Sequence, residues 1–226
     1  MPRGPASPER DAVTSSLRRG AVILFTLLVA SQVGVVVFSL WEPTFDGQID
    51  YQATVDLGEA YWPMNVLLGG PSYAIGFVVS AVFLAVLGEG SRVSLAGSVL
   101  LGVAGIVFAL VITAEVLPFA WAADADVVSP TGGRELFEAF NGELDRFVPY
   151  VVGSMAGIAL GVLVAALGAT MAGGLPRWVL VLVTLLLVAT FAAPMGSGLA
   201  VGVGLLERAM WIGLGWLGLR RVLREA

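Results

Sequence analysis

Cysteine, histidine and lysine are all missing from the 226 residues of this chain. The first absence removes disulfides, thiol redox chemistry and iron–sulfur ligation. It also means that cysteine usage says nothing about the redox compartment. Lack of histidine removes the common haem ligand, most catalytic zinc sites and serine–histidine catalysis. Without lysine there is neither a retinal-type Schiff base nor a lysine nucleophile. Charge is scarce too: 13% of residues carry it, against ~25% in a usual soluble domain.

What fills the chain instead is apolar. Hydrophobic residues make up 58% of it, and runs of about 18 residues or more recur, which is the signature of transmembrane helices. The partner implied first is therefore the lipid bilayer. The formal net charge of −5 resides mainly in acidic loops and argues against nucleic acid as a partner.

The hydropathy pattern predicts an all-α membrane bundle of six transmembrane helices, at about 20–41, 66–87, 93–120, 148–171, 178–191 and 199–219. Residues 1–17, polar and aperiodic, read as a disordered cytoplasmic tail, leaving 18–226 as a single transmembrane domain. The first apolar stretch exceeds the ~7–15 residues of a signal-peptide core and is followed by no small-x-small site, so it reads as an uncleaved helix. Arg3, Arg10, Arg18, Arg19, Arg92, Arg177, Arg220, Arg221 and Arg224 fall on one side of a six-pass arrangement. Only Arg134 and Arg146 fall on the other. The positive-inside rule then puts both termini in the cytoplasm of a cell-membrane protein.

Two long loops lie outside in that arrangement. The first, "EPTFDGQIDYQATVDLGEAYWPMN", holds five carboxylates and no base; with Trp41, its Tyr51, Tyr61 and Trp62 suit an aromatic belt at the interface. In the second, Phe137, Phe140, Leu144 and Phe147 recur at helical spacing, so a short amphipathic helix is expected, either capping the bundle or offering a lid or docking face. Asp124 and Asp126 lack the spacing of a calcium loop and read as solvated charge. No metal site and no cofactor is implied.

Glycines set the expected packing. Gly153, Gly157 and Gly161 recur every four residues, and Gly198 and Gly202 repeat that spacing. Such small-xxx-small stripes let helix backbones approach closely, either inside the bundle or at the face of a homodimer or a membrane-protein partner.

Charged residues at membrane depth are the main functional lead. Glu207 and Arg208 lie near the midplane of the last helix, where the pair costs roughly 5–7 kcal/mol to insert. The segment's seven Leu/Ile and two Val return only about 3–5 kcal/mol on the same scale. Adjacent helical residues point ~100° apart, so at least one is expected to reach a neighbouring helix. Glu115, in "VITAEVLPFAW", is the other deep carboxylate, and an interior Glu115–Arg208 contact is expected, with Glu207 in the same network or protonated. Such a network serves as folding glue or as a proton or solute pathway. No catalytic residue is nominated: "PMGSG" offers Ser197 but no histidine to activate it.

Glu207, Trp211 and the Leu/Gly/Trp run ending at Arg220 and Arg221, together with the order of outer loop, inner turn and outer loop, resemble a group of uncharacterised prokaryotic six-helix membrane proteins. The motif covers residues 206 to 221, and the resemblance implies topology but no activity. Two functions remain open. One is a non-enzymatic, partner-interacting or envelope-associated membrane protein; the other is a small-solute or proton-coupled carrier using Glu115, Glu207 and Arg208.

Overall fold

A computed structural model describes residues 8–43, 48–194 and 197–225, with backbone only for 8–12. All regular structure among these residues is helical. Five helical runs are long and apolar enough to cross a bilayer: 13–41, 51–87, 92–123, 148–171 and 198–225.

The first helix, α1, runs from Pro8 to Trp41. Residues 8–17 of the expected tail are therefore helical; residues 1–7 lie outside the described residues. At the other end, Pro43 disfavours a helical Glu42, and α1 stops at Trp41.

The first of the two segments expected as outer loops is largely helical. Asp50 caps α2 (Tyr51–Leu57), its carboxylate accepting from the Ala53 amide at 2.6 Å. A 3-10 turn (Gly58–Ala60), the short α3 (Tyr61–Pro63) and a π-helical turn (Met64–Gly69) lead into α4 (Gly70–Leu87). The turn after α4 holds Glu89 and Gly90 at φ 43° and 77°. Arg221 fastens it, pairing with Glu89 and donating to the Leu87 carbonyl at 3.1 Å.

Ser91 then caps α5 (Arg92–Ala114), which is followed by α6 (Val116–Ala123). The continuous helix expected over 93–120 is broken between them. Pro118 cannot donate to the Ala114 carbonyl, so the ladder opens there and Glu115 occupies the break. After α7 (Pro130–Glu143) come α8 (Val148–Met171), α9 (Arg177–Ala192) and α10 (Gly198–Glu225). The 16 residues of α9 span ~24 Å, short of a ~30 Å hydrocarbon core.

Helix α4 is central, packing against α1, α5, α8 and α10, while α9 lies at the edge against α8 and α10. The most extensive pairing is α5 with α8. A β-carbon on Gly157 would fall 2.8 Å from that of Ala104, and one on Gly161 would fall 2.6 Å from the Leu101 nitrogen. Gly153, Gly198 and Gly202 have nothing within 4 Å of such a carbon. The stripe in α8 is therefore a packing face only in its C-terminal part, and the α10 pair packs against nothing among the described residues.

The two segments expected as outer loops pack on each other. Phe137 of α7 meets Tyr51 and Phe119 edge to face, each at 5.0 Å between ring centres. Tyr61 belongs to the same cluster and is 4% exposed, so it is a core residue and not part of an interfacial belt. Trp62 is exposed.

Candidate functional site

Three prolines build the site. Pro43 ends α1 and frees Glu42; Pro63 precedes the π-turn that carries Asn65; Pro118 opens the ladder at Glu115. These groups line one cavity of about 240 Å³, together with Asp50, Thr54, Tyr61, Phe38, Tyr73 and Phe108. Neither the Glu42 nor the Glu115 carboxylate has a hydrogen-bond or ion-pair partner among the described residues. Burial pushes the Glu42 carboxyl up to about 7, and the nearby Glu115 charge adds to the shift. Asn65 is 5% exposed; its Nδ2 donates to the Tyr61 carbonyl at 2.9 Å, and its Oδ1 accepts nothing from the described residues. The wall thus presents carboxylate and amide oxygens, hydroxyls and aromatic faces, with no cationic side chain among the described residues.

A second polar group lies deeper. Arg208 Nη2 is 3.4 Å from Glu207 Oε2, and Nη1 is 3.4 Å from Gln32 Oε1 on α1. Its guanidinium sits 5.8 Å from the centre of the Tyr73 ring. Gln32 is buried and in turn donates to Ser31 Oγ at 3.5 Å. Close approach at Gly76 makes room for it, since a β-carbon there would fall 2.6 Å from Gln32 Nε2. Beneath Tyr73 the rings of Phe77, Phe108 and Trp211 pack edge to face and form an apolar floor.

The three intramembrane residues singled out in the sequence are therefore divided. Glu207 and Arg208 pair directly, although neighbours on one helix diverge by ~100°. No ion pair joins Glu115 to Arg208 among the described residues: Glu115 instead lines the same cavity as Glu42. Tyr73 connects the two groups, lining the cavity with one part of its ring environment and meeting Arg208 with another.

Sequence reasoning missed Glu42, Asn65, Gln32 and Tyr73. A usable signal existed for Glu42, which Pro43 directly follows, and for the break at Glu115, since Pro118 lies three residues beyond it. Asp124 and Asp126 are exposed, with Asp124 Oδ1 accepting from the Asp126 amide at 2.9 Å. No group of three or more acidic residues converges as a cation site among the described residues.

A cavity holding two carboxylates without a cationic partner and walled by aromatic rings can hold a small cation that donates hydrogen bonds and stacks on rings. Among the described residues it holds no nucleophile hydrogen-bonded to a base. Comparison with protein-family models, curated proteins and solved structures gives no match.

Proposed function

We propose that this chain is a non-enzymatic, six-span cell-membrane protein with both termini in the cytoplasm, which binds a small organic cation from the extracytoplasmic side. The single observation that carries the reading is the cavity holding Glu42 and Glu115 without a protein counter-charge. An ammonium or guanidinium group would supply both the charge and the donors. A volume of about 240 Å³ suits a ligand smaller than the drug-sized molecules that fill ~300–1,000 Å³ pockets.

The six-span count rests on α9. It is short, but Arg177 opens it and the Pro194 turn follows, so the chain doubles back into α10. Nine arginines on the inner side then agree with the positive-inside rule. The same topology makes the prokaryotic six-helix membrane proteins, which residues 206 to 221 resemble, the proposed relatives.

Binding without passage is favoured by what lies beneath the cavity. The apolar ring floor seals it, and the Arg208 charge below Tyr73 repels a second cation. The protein then reports or retains the bound solute, acting through a second copy or a membrane-protein partner. A carrier using Glu115, Glu207 and Arg208 is the second reading, favoured by Tyr73 touching both polar groups.

Thermal unfolding of the purified protein in detergent tests the proposal, with tetramethylammonium, guanidinium, choline and sodium as probes. An organic cation at ~100 times its dissociation constant adds about 2.7 kcal/mol of stability. The midpoint should rise for wild type and not for Glu42→Gln/Glu115→Gln. Equal shifts in both proteins, or none in either, would overturn the binding reading. Uptake of the same cation into proteoliposomes would favour the carrier.

A further inference from the structure

A second cavity, of about 430 Å³, lies on the outer side between the α2–α3 segment and α6. Glu59, Asp124 and Asp126 supply its charge, and Trp62 and Trp121 its aromatic faces. It shares two wall residues with the inner cavity, Thr54 and Tyr61. Both chambers therefore have the same character, carboxylates beside aromatic rings, and one tyrosine ring with one threonine separates them.

The segment carrying that ring is the least regular helix in the chain. Gly58 closes α2 at φ 55°, and the backbone then passes through 3-10, α and π hydrogen bonding before α4 begins. A π-turn holds one more residue per turn than an α-turn, and such turns occur frequently at functional sites. Converting it to α geometry rotates the residues between it and the Gly58 break by ~100° about the helix axis, with α2 and Thr54 beyond that break left in place. Its lower end cannot follow that rotation. A β-carbon on Gly69 would fall 2.9 Å from the Phe38 ring, and Gly70 is pressed against the Thr113 hydroxyl. The movement is thus confined to residues above Gly69, Tyr61 among them.

We infer that Tyr61 is a gate: the π-turn at Met64–Gly69 switches its register and swings the ring aside, joining the outer groove to the inner pocket so that an organic ammonium or guanidinium ion can pass between them. The inference rests on the cation-binding reading of the pocket. The groove collects the ion against Trp62 and Trp121, which are 44% and 58% exposed, and the gate admits it to Glu42 and Glu115. Thr54, whose hydroxyl is held by the Asp50 carbonyl at 2.9 Å, stays as the fixed half of the wall.

Because the chain has no cysteine, a single thiol at Ile112→Cys, on the inner cavity wall, reports access cleanly. The rate of its modification is measured with two water-soluble methanethiosulfonates, one carrying trimethylammonium and one carrying sulfonate. Tyr61→Ala should accelerate both reagents by about tenfold or more, Tyr61→Phe should stay within about threefold, and Tyr61→Trp should slow both, as expected for a steric gate. Rates unaffected by Tyr61→Ala in a folded protein would overturn the gate. If the alanine variant does not fold, the Trp variant decides, and an unchanged rate there overturns it equally. The pocket reading is scored separately, by the preference for the cationic over the anionic reagent. That preference should disappear in Glu42→Gln/Glu115→Gln, and its absence from the outset would remove the pocket reading while the Tyr61 series still tests the gate.

Discussion

Gly161 of α8 and Leu101 of α5 touch backbone to backbone: a β-carbon on the glycine would fall 2.6 Å from the Leu101 nitrogen and 3.0 Å from the Gly97 carbonyl oxygen. Both obstacles are main chain, so no side chain can turn away. Gly161→Ala must push the two helices apart, at a cost of about 1–3 kcal/mol typical of an overfilled core. Gly153→Ala, with open space around it, should be neutral or gain up to about 1 kcal/mol of helix propensity. Thermal midpoints in detergent separate the two. Equal effects would mean that the α5–α8 contact is not a close glycine seam.

The Arg208 guanidinium is held between Glu207 and Gln32, each at 3.4 Å, with the Tyr73 ring alongside. Removing one partner of an enclosed ion pair leaves a charge without compensation, which typically costs about 3–5 kcal/mol. Glu207→Gln should therefore lower the thermal midpoint strongly. The double variant Glu207→Gln/Arg208→Met removes both charges and should recover most of that loss. A double variant as unstable as the sum of its singles would show that the two residues act independently.

The costly charges in the last helix were legible because a membrane segment tolerates few of them, and their position needed only hydropathy. Their partners were not legible. Gln32 is uncharged and sits inside an apolar run, so nothing in its spacing sets it apart from the residues around it. Glu115 was read on a continuous helix, and the Pro118 break at that residue was overlooked. Glu42 was counted among loop charges, although Pro43 marks a helix end. The glycine stripes show a different limit. Gly153 and Gly161 share one periodicity, but a four-residue repeat does not reveal how far along the helix a neighbour extends. Likewise, the burial of Tyr61 arises from α6 and α7 folding over it, and no local pattern encodes that contact.

Glu42 should make stability depend on pH. In the folded chain its carboxyl titrates at about 7, against an ordinary 4.5. Between those values the folded state keeps a proton that the unfolded state has released. Stability is then highest near and below pH 4.5, falls as pH rises to about 7, and levels above it. The groups facing Glu42 across the cavity are Glu115, Asp50, Tyr61 and Tyr73, none of them cationic. Glu42→Gln should flatten this slope, and Glu115→Gln should reduce it by removing the neighbouring charge. Thermal midpoints of the three proteins between pH 4 and 8, a window set by those two values, provide the check. An unchanged slope in Glu42→Gln would assign the dependence to another group.

Phe137 couples the outer layer to the gate. Its ring meets Tyr51 and Phe119, and its cluster includes Tyr61, so it bears on the segment proposed to move. Phe137→Ala leaves a hole in a layer built from short helices, and truncating a buried phenylalanine costs about 3–5 kcal/mol where the surroundings cannot collapse. Little of that loss should reach the α4–α5–α8 bundle, whose buried residues form a separate cluster. The expected result is local: amide exchange in residues 51–69 and 116–143 accelerates, while exchange in α5 and α8 changes little. Modification of Ile112→Cys should quicken in the same variant, because a loosened cap lets Tyr61 leave the wall more often. Faster exchange throughout the chain would instead mean that the outer layer and the bundle unfold as one unit, and that Tyr61 cannot move independently of the bundle.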